Sequence, residues 1–226
     1  YEGEGWVLKA ISEERYTYTS AGAEETSQII RRAADGRALS RTTTAGSDFD
    51  GWGNACRRDS VIYGYGDDGV EFRQKVIVRT NIQSNALGWE FSYDEQVTDD
   101  ISATALVVEC KLSDAVYDDL GRRLSFVEQT RRHNNNQAST LLDVSETVQR
   151  LTTTYNAMGQ ETGYGERTLT GDGEVVTVDA VVSDIVLNGL GQRETFNKRT
   201  HRNGGDGIVS VDTFDTLVRL SSRYDD

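Results

Sequence analysis

Three glutamates, Glu95, Glu128 and Glu166, each stand seven residues after a glycine, Gly88, Gly121 or Gly159, in similar surroundings. A pair of carboxylates is the machinery of glycoside hydrolysis, one acting as acid and the other as base or nucleophile. Such a pair needs unequal environments within one cleft. A glutamate that recurs once per unit has the opposite character and reads as one cross-strand contact made repeatedly. His133 and His201 have no Cys or Asp nearby at zinc-ligand spacing and read as exposed loop histidines. The runs "VTDD" (97–100), "GDGE" (171–174) and "NGGDG" (203–207) carry the oxygen chemistry of calcium ligands. Val209 stands where a calcium β-roll would place an aspartate, so these read as turns without metal. There is no nucleophile elbow, phosphate loop or dinucleotide fingerprint. No catalytic, cofactor-binding or metal-ligating residue is assigned, and no cofactor is expected.

The glycines belong to a larger pattern. "SNALGWEFSYDEQV" (84–97), "YDDLGRRLSFVEQT" (117–130), "TTTYNAMGQETGYGERT" (152–168) and "LNGLGQRETFNKRT" (187–200) align on Gly88, Gly121, Gly159 and Gly191. Asn85, Asp118, Asn156 and Asn188 stand three residues before the glycine, and Tyr93, Phe126, Tyr164 and Phe196 five after it. The seventh position holds the three glutamates and, in the last unit, Lys198. The units recur roughly every 30 to 40 residues, a period of stacked or wound repeats. Asn or Asp first and Gly fourth is the preference of a type I turn, where the short side chain bonds forward to the backbone and glycine takes positive φ. Thr, Tyr, Val and Phe on both sides favour strands, so each unit reads as a β-hairpin. A four-residue loop would put Tyr155 and Tyr164 on one sheet face, and a glycine bulge would put them on opposite faces. The recurring aromatics read as packing between sheets, with a sugar-stacking strip as the alternative.

Residues 1–83 carry the pattern in degraded form, with turns ending at Gly22, Gly36 and Gly69, and residues 84–226 carry it clearly. The stretch 45–60 has no clear alternation and is the expected irregular loop. Residues 24–34 offer a weak helical pattern in Ile29, Ile30 and Ala34. Strands are clearest at 69–80, 103–117, 139–155, 173–187 and 207–222. The expected fold is all-β, one continuous array of antiparallel hairpin repeats wound or stacked into an elongated rod or fibre.

A formal net charge of -13 disfavours nucleic acid, which needs clustered cations along the contact. Hydrophobic residues make up 36%, proline is absent, and no run is long and apolar enough to span a bilayer. Cys56 and Cys110 form either one disulfide or two separate thiols. The opening "YEGEG" and closing "RYDD" look like the same motif, from which a section of a longer repetitive polypeptide is expected.

"YDDLGRR" and "YNAMGQE" resemble the YD repeats of Rhs-type and teneurin-type proteins, and more closely the long Y-N-A-L-G-Q repeats of very large bacterial surface proteins. The resemblance covers residues 84–226, and 1–83 more loosely, with Ser84 and Leu187 in place of the motif tyrosine. It implies wound hairpin sheets outside the cell acting as shells, stalks or scaffolds. The function expected is a structural or adhesive segment of a giant extracellular or cell-surface protein. Its partners would be neighbouring repeats, further copies of itself or surface glycans. A carbohydrate- or receptor-binding fibre module is the alternative.

Overall fold

The computed structural model describes residues 10–99, 106–134, 143–170, 176–189, 191–205 and 210–220. Both chain ends, the calcium-like runs at 171–174 and 206–207, and Val209 lie outside the described residues. The strands are β1 (Ala10–Tyr18), β2 (Glu24–Ala33), β3 (Ala38–Phe49), β4 (Ala55–Tyr65), β5 (Glu71–Ser84), β6 (Glu90–Asp99) and β7 (Leu106–Tyr117). They continue with β8 (Arg123–Asn134), β9 (Asp143–Tyr155), β10 (Glu161–Thr170), β11 (Val176–Leu187), β12 (Arg193–Gly205) and β13 (Ser210–Arg219). They pair in sequence order in one 13-stranded sheet. The registered pairs are antiparallel, as a meander of hairpins requires. The all-β hairpin architecture expected from the turns is therefore the fold.

The chain divides into two compact units, one built around β1–β5 and the other around β9–β13, with β6, β7 and β8 divided between them. In the first, the buried apolar residues are Ala55, Ile82 and Val107. In the second they are Leu112, Ala115, Val182 and Ile185, joined by the buried Thr153. Leu112 and Ala115 are three apart, as are Val182 and Ile185, a spacing that points opposite ways in a regular strand. Asp114 and Asp184 lie between them with φ near 55°, a left-handed conformation that short polar side chains tolerate. The local kink turns both flanking residues inward. Asp184 is held there by hydrogen bonds from Ser183 (2.9 Å) and Asn197 (2.8 Å).

Three expectations are corrected. Residues 45–60 are not an irregular loop: Asp50–Gly53 is a tight turn joining β3 to β4, with Phe49 paired to Ala55. Residues 24–33 form β2, in which Ile29 and Ile30 pair with Glu14 and Glu13 on one side and Thr42 and Arg41 on the other. His133 and His201 lie on β8 and β12 rather than in loops.

Cys56 on β4 and Cys110 on β7 are not joined in a disulfide. Among the described residues no helix is long and apolar enough to cross a membrane.

Candidate functional site

What recurs is a turn and the contacts it sends to its neighbours. At Gly159, the glycine amide donates to the Asn156 carbonyl (3.0 Å), and the Asn156 amide donates to the Gln160 carbonyl (2.9 Å). Gly159 sits at φ 79°, which is the type I turn with a glycine bulge. Gly88, Gly121 and Gly191 repeat this conformation at 80°, 76° and 79°. Each turn is closed by its first side chain. Asp118 Oδ1 accepts the amides of Leu120 (3.0 Å) and Arg122 (2.9 Å), and Asn156 Oδ1 those of Met158 (3.0 Å) and Gln160 (2.9 Å). Asn85 holds the Leu87 amide, Asn188 the Gln192 amide, and Asp50 the amides of Trp52 and Asn54.

The residue after the glycine is chemically matched to the first one. Asp118 takes the Arg122 guanidinium (2.6 Å) and Asp50 the Asn54 amide (3.0 Å). Asn156 and Asn188, which can donate, instead face the side-chain oxygens of Gln160 (2.9 Å) and Gln192 (2.7 Å). The same position then reaches forward. Arg122 donates to the Asn156 carbonyl (3.2 Å) in the next turn, and Trp89, Arg122 and Gln160 cover Gly121, Gly159 and Gly191 in the second unit. Within the first unit Asn54 covers Gly88.

Burial acts to raise the Asp118 carboxyl, but the Arg122 amide and guanidinium and the Leu120 amide outweigh it and hold the group below its ordinary value of 3.8. A carboxyl lowered by folding adds stability that is present above its unfolded value and lost as pH falls through the folded one. Carboxyl carbon NMR should therefore show Asp118 titrating below 3.8 and moving back towards it in Arg122→Gln.

The motif tyrosine reaches backward. Tyr117 Oη donates to the Glu90 carbonyl (2.6 Å) and Tyr155 Oη to the Arg123 carbonyl (2.7 Å). Both acceptors stand two residues past the glycine of the preceding unit. Tyr155→Phe leaves that carbonyl unpaired in a half-buried place, and about 1 kcal/mol of local stability should be lost, read from amide exchange in β9 and β10.

The glycine bulge alone would separate Tyr155 and Tyr164 onto opposite faces. They share one, because a second shift between Glu161 and Gly163 restores the register: Tyr155 opposes Glu161, and Tyr164 opposes Thr153. Arg150 occupies that face. Its guanidinium lies 4.0 Å from the Tyr164 ring centre and 5.8 Å from that of Phe126, and it contacts Glu161 and Glu166 at 3.0 Å each. Arg79 does the same in the first unit, 3.9 Å over Tyr93 and 2.5 Å from Glu95. Phe126 also has Arg123 at 5.0 Å, and Phe196 has Arg219 at 5.8 Å. The recurring aromatics and two of the three recurring glutamates are thus gathered around arginines. Glu128, half-buried on β8, has no cation partner among the described residues.

His133 faces Glu109 (3.6 Å), and His201 bonds to Asp212 (2.8 Å) while stacking on Phe214 (4.1 Å between ring centres). Among the described residues no group of three or more His, Cys, Asp or Glu is placed to hold a metal ion. A shallow groove of about 650 Å³ on β9–β11 is floored by Gly163 and Gly165 and edged by Thr152, Thr154 and Val181.

No family model, curated protein or solved structure matches this chain. Function must therefore be read from the arrangement itself. That arrangement is a set of side chains directed at the next repeat and the previous one, with the carboxylates of highest interest already bound to guanidinium groups.

Proposed function

We propose that this chain is a structural or adhesive segment of a very large extracellular or cell-surface protein of the YD-repeat kind, its hairpins stacked into a rod or fibre. The observation that carries this reading is the direction of the recurrent contacts. Tyr117 and Tyr155 bond back to the preceding hairpin, while Arg122 bonds forward to the following turn. Stability held in nearest-neighbour contacts suits a chain that bears load along its length. The net charge of -13 keeps such a surface soluble and its neighbours apart.

A receptor-binding fibre module is the second reading, and the turn tips favour it. Trp52, Leu87, Leu120 and Met158, each just before a turn glycine, are 73%, 69%, 74% and 80% exposed. A sugar-stacking row on the recurring aromatics is less favoured, because Arg79 and Arg150 already cover a face of Tyr93 and Tyr164.

Antibody raised against this segment should label intact source cells and detect, under denaturing conditions, a polypeptide many times longer than 226 residues. Labelling only after permeabilisation would overturn the surface assignment. Selective retention of the segment on one glycan, lost when Trp52 and Leu120 are replaced by Ser, would favour the receptor-binding reading.

A further inference from the structure

The turns along one edge of the sheet differ in chemistry from those along the other. Antiparallel pairing in sequence order puts the β3–β4 and β5–β6 turns of the first unit at one edge, and its β2–β3 and β4–β5 turns at the opposite edge. At the first edge the residue before the turn glycine is Trp52 or Leu87, and at the second it is Asp35 or Asp68. Val70 is also exposed at the second edge, but it follows Asp67 and Asp68 in the same turn. The second unit repeats the apolar choice in its β7–β8 and β9–β10 turns, with Leu120 and Met158. These four tips are between 69% and 80% exposed. Within each unit the two turns touch: Asn54 reaches the Asn85 carbonyl (3.5 Å), and Arg122 the Asn156 carbonyl (3.2 Å).

The backbone at these tips carries its own partners. In all four turns the amide of the tip residue donates to the first turn side chain, and the glycine amide to the first turn carbonyl. That is the condition for a polar backbone to enter a medium without water. Asp50 and Asp118 direct their carboxylates inward onto these amides. Of the residues between the first turn position and the glycine, only Asp119 is charged. Two side chains per unit offer roughly 200 Å² of apolar surface. Doubled for a partner, this is still well below the roughly 1,000 Å² of a specific protein interface. Single side chains projecting from convex turns suit a deformable phase, and tryptophan is enriched where a bilayer meets water. The net charge of -13 selects uncharged headgroups over anionic ones.

We infer that this turn edge is a membrane-contact edge, on which Trp52 and Leu87 in the first unit, and Leu120 and Met158 in the second, insert into the headgroup region of a zwitterionic bilayer. Each tip contributes a small apolar transfer, and reversible attachment comes from several acting together. At the opposite edge of the first unit, Asp35, Asp67 and Asp68 stay in water. The inference goes beyond the structural reading and is tested apart from it: vesicles test the edge, whereas antibody labelling tests where the chain is displayed.

The test floats the full chain with phosphatidylcholine vesicles that carry no glycan or protein. Saturable, reversible binding at millimolar lipid is expected. Trp52→Ser and Leu120→Ser should each weaken it about fivefold, and replacing all four tips by Ser should abolish it. Asp68→Ser, at the other edge, should leave it unchanged. Asp119→Asn removes a charge from an inserting turn and should tighten binding about threefold. Nitroxide-labelled headgroups should broaden the amide resonances of 51–53, 86–88, 119–121 and 157–159, and spare those of 34–36 and 67–69. The tips are exposed, and far-ultraviolet spectra matching that of the parent chain would show the variants folded. Absence of binding at millimolar lipid would overturn the proposal, as would equal binding by the tip variants or broadening centred on 34–36 and 67–69. Tighter binding as phosphatidylserine is added would also overturn it, because the attraction would then lie in cations and not in the tips. Binding confined to vesicles bearing a glycolipid or a membrane protein would overturn it in favour of a receptor.

Discussion

Gly121→Ala should weaken the β7–β8 hairpin by about 2–3 kcal/mol, seen as a loss of amide-exchange protection on the order of a hundredfold. Two effects add at this position. At φ 76° a Cβ meets the backbone strain of the left-handed region, about 1–2 kcal/mol. The new methyl would also stand 2.9 Å from the Trp89 indole, which has to shift. Gly159→Ala separates the two contributions: φ is 79°, but the nearest atom is Arg122 Cδ at 3.8 Å, so only the backbone cost of about 1–2 kcal/mol should appear. Gly36→Ala, with φ 85° and open space around it, is the further control. Exchange is the right observable because repeat arrays need not unfold in one step. Equal losses at Gly121 and Gly159 would show that the indole does not pack on the turn.

Arg150→Ala should cost about 2 kcal/mol in β9–β10, the largest effect expected from removing a side chain on the sheet face. It strips both Glu161 and Glu166 of a shared cation and uncovers the Tyr164 ring. The group is partly exposed, with 16% of the Arg150 side chain and about a quarter of each carboxylate accessible, so the loss stays below that of a fully buried pair. Glu161 also retains Arg193 at 2.6 Å. Arg150→Lys keeps the charge but loses the planar fork, and should recover only part of the difference. In a Glu166→Gln background the cost of Arg150→Ala should fall by about 1 kcal/mol, the coupling expected of two groups in contact. Strict additivity would mean that the pair contributes little.

The hairpin architecture is legible because one turn chemistry does the same local work wherever it occurs. Asp or Asn closes the loop amides, and the glycine takes the bulge. That chemistry is also present in Phe49-Asp50-Gly51-Trp52-Gly53-Asn54, yet the flanking strands hide it. β3 and β4 carry Ser47, Arg57, Arg58 and Asp59 where apolar alternation would be sought, because few positions of this sheet are fully buried and polar cross-strand pairs such as Thr44–Ser60 (2.9 Å) suffice. The helical reading of 24–34 fails for the same reason: Ile29 and Ile30 are adjacent and only half-buried, each against polar partners.

The arginine clusters were illegible for a different reason. Arg150 and Glu166 are 16 residues apart, and they meet only because two compensating shifts set the register of β9 against β10. Composition carries no trace of a bulge at Thr162. β13, by contrast, falls within the stretch 207–222 that alternation marks as a strand, and it runs along β12 without a register shift, with Asp215 opposite Thr200 and Val218 opposite Asn197.

The matching of the first turn residue to the one after the glycine bears on how such an array can be rearranged by recombination. A crossover falling inside a turn could join Asn156 to an arginine, or Asp118 to a glutamine. The first would set two donor-rich side chains against each other, and the second would leave the carboxylate without its cation. Crossovers in the strands move the five-residue cassette intact, yet Arg122 also bonds to the Asn156 carbonyl of the following turn. Shuffling should therefore favour blocks of two or more hairpins, since a lone transplanted unit arrives with its forward contact unmet.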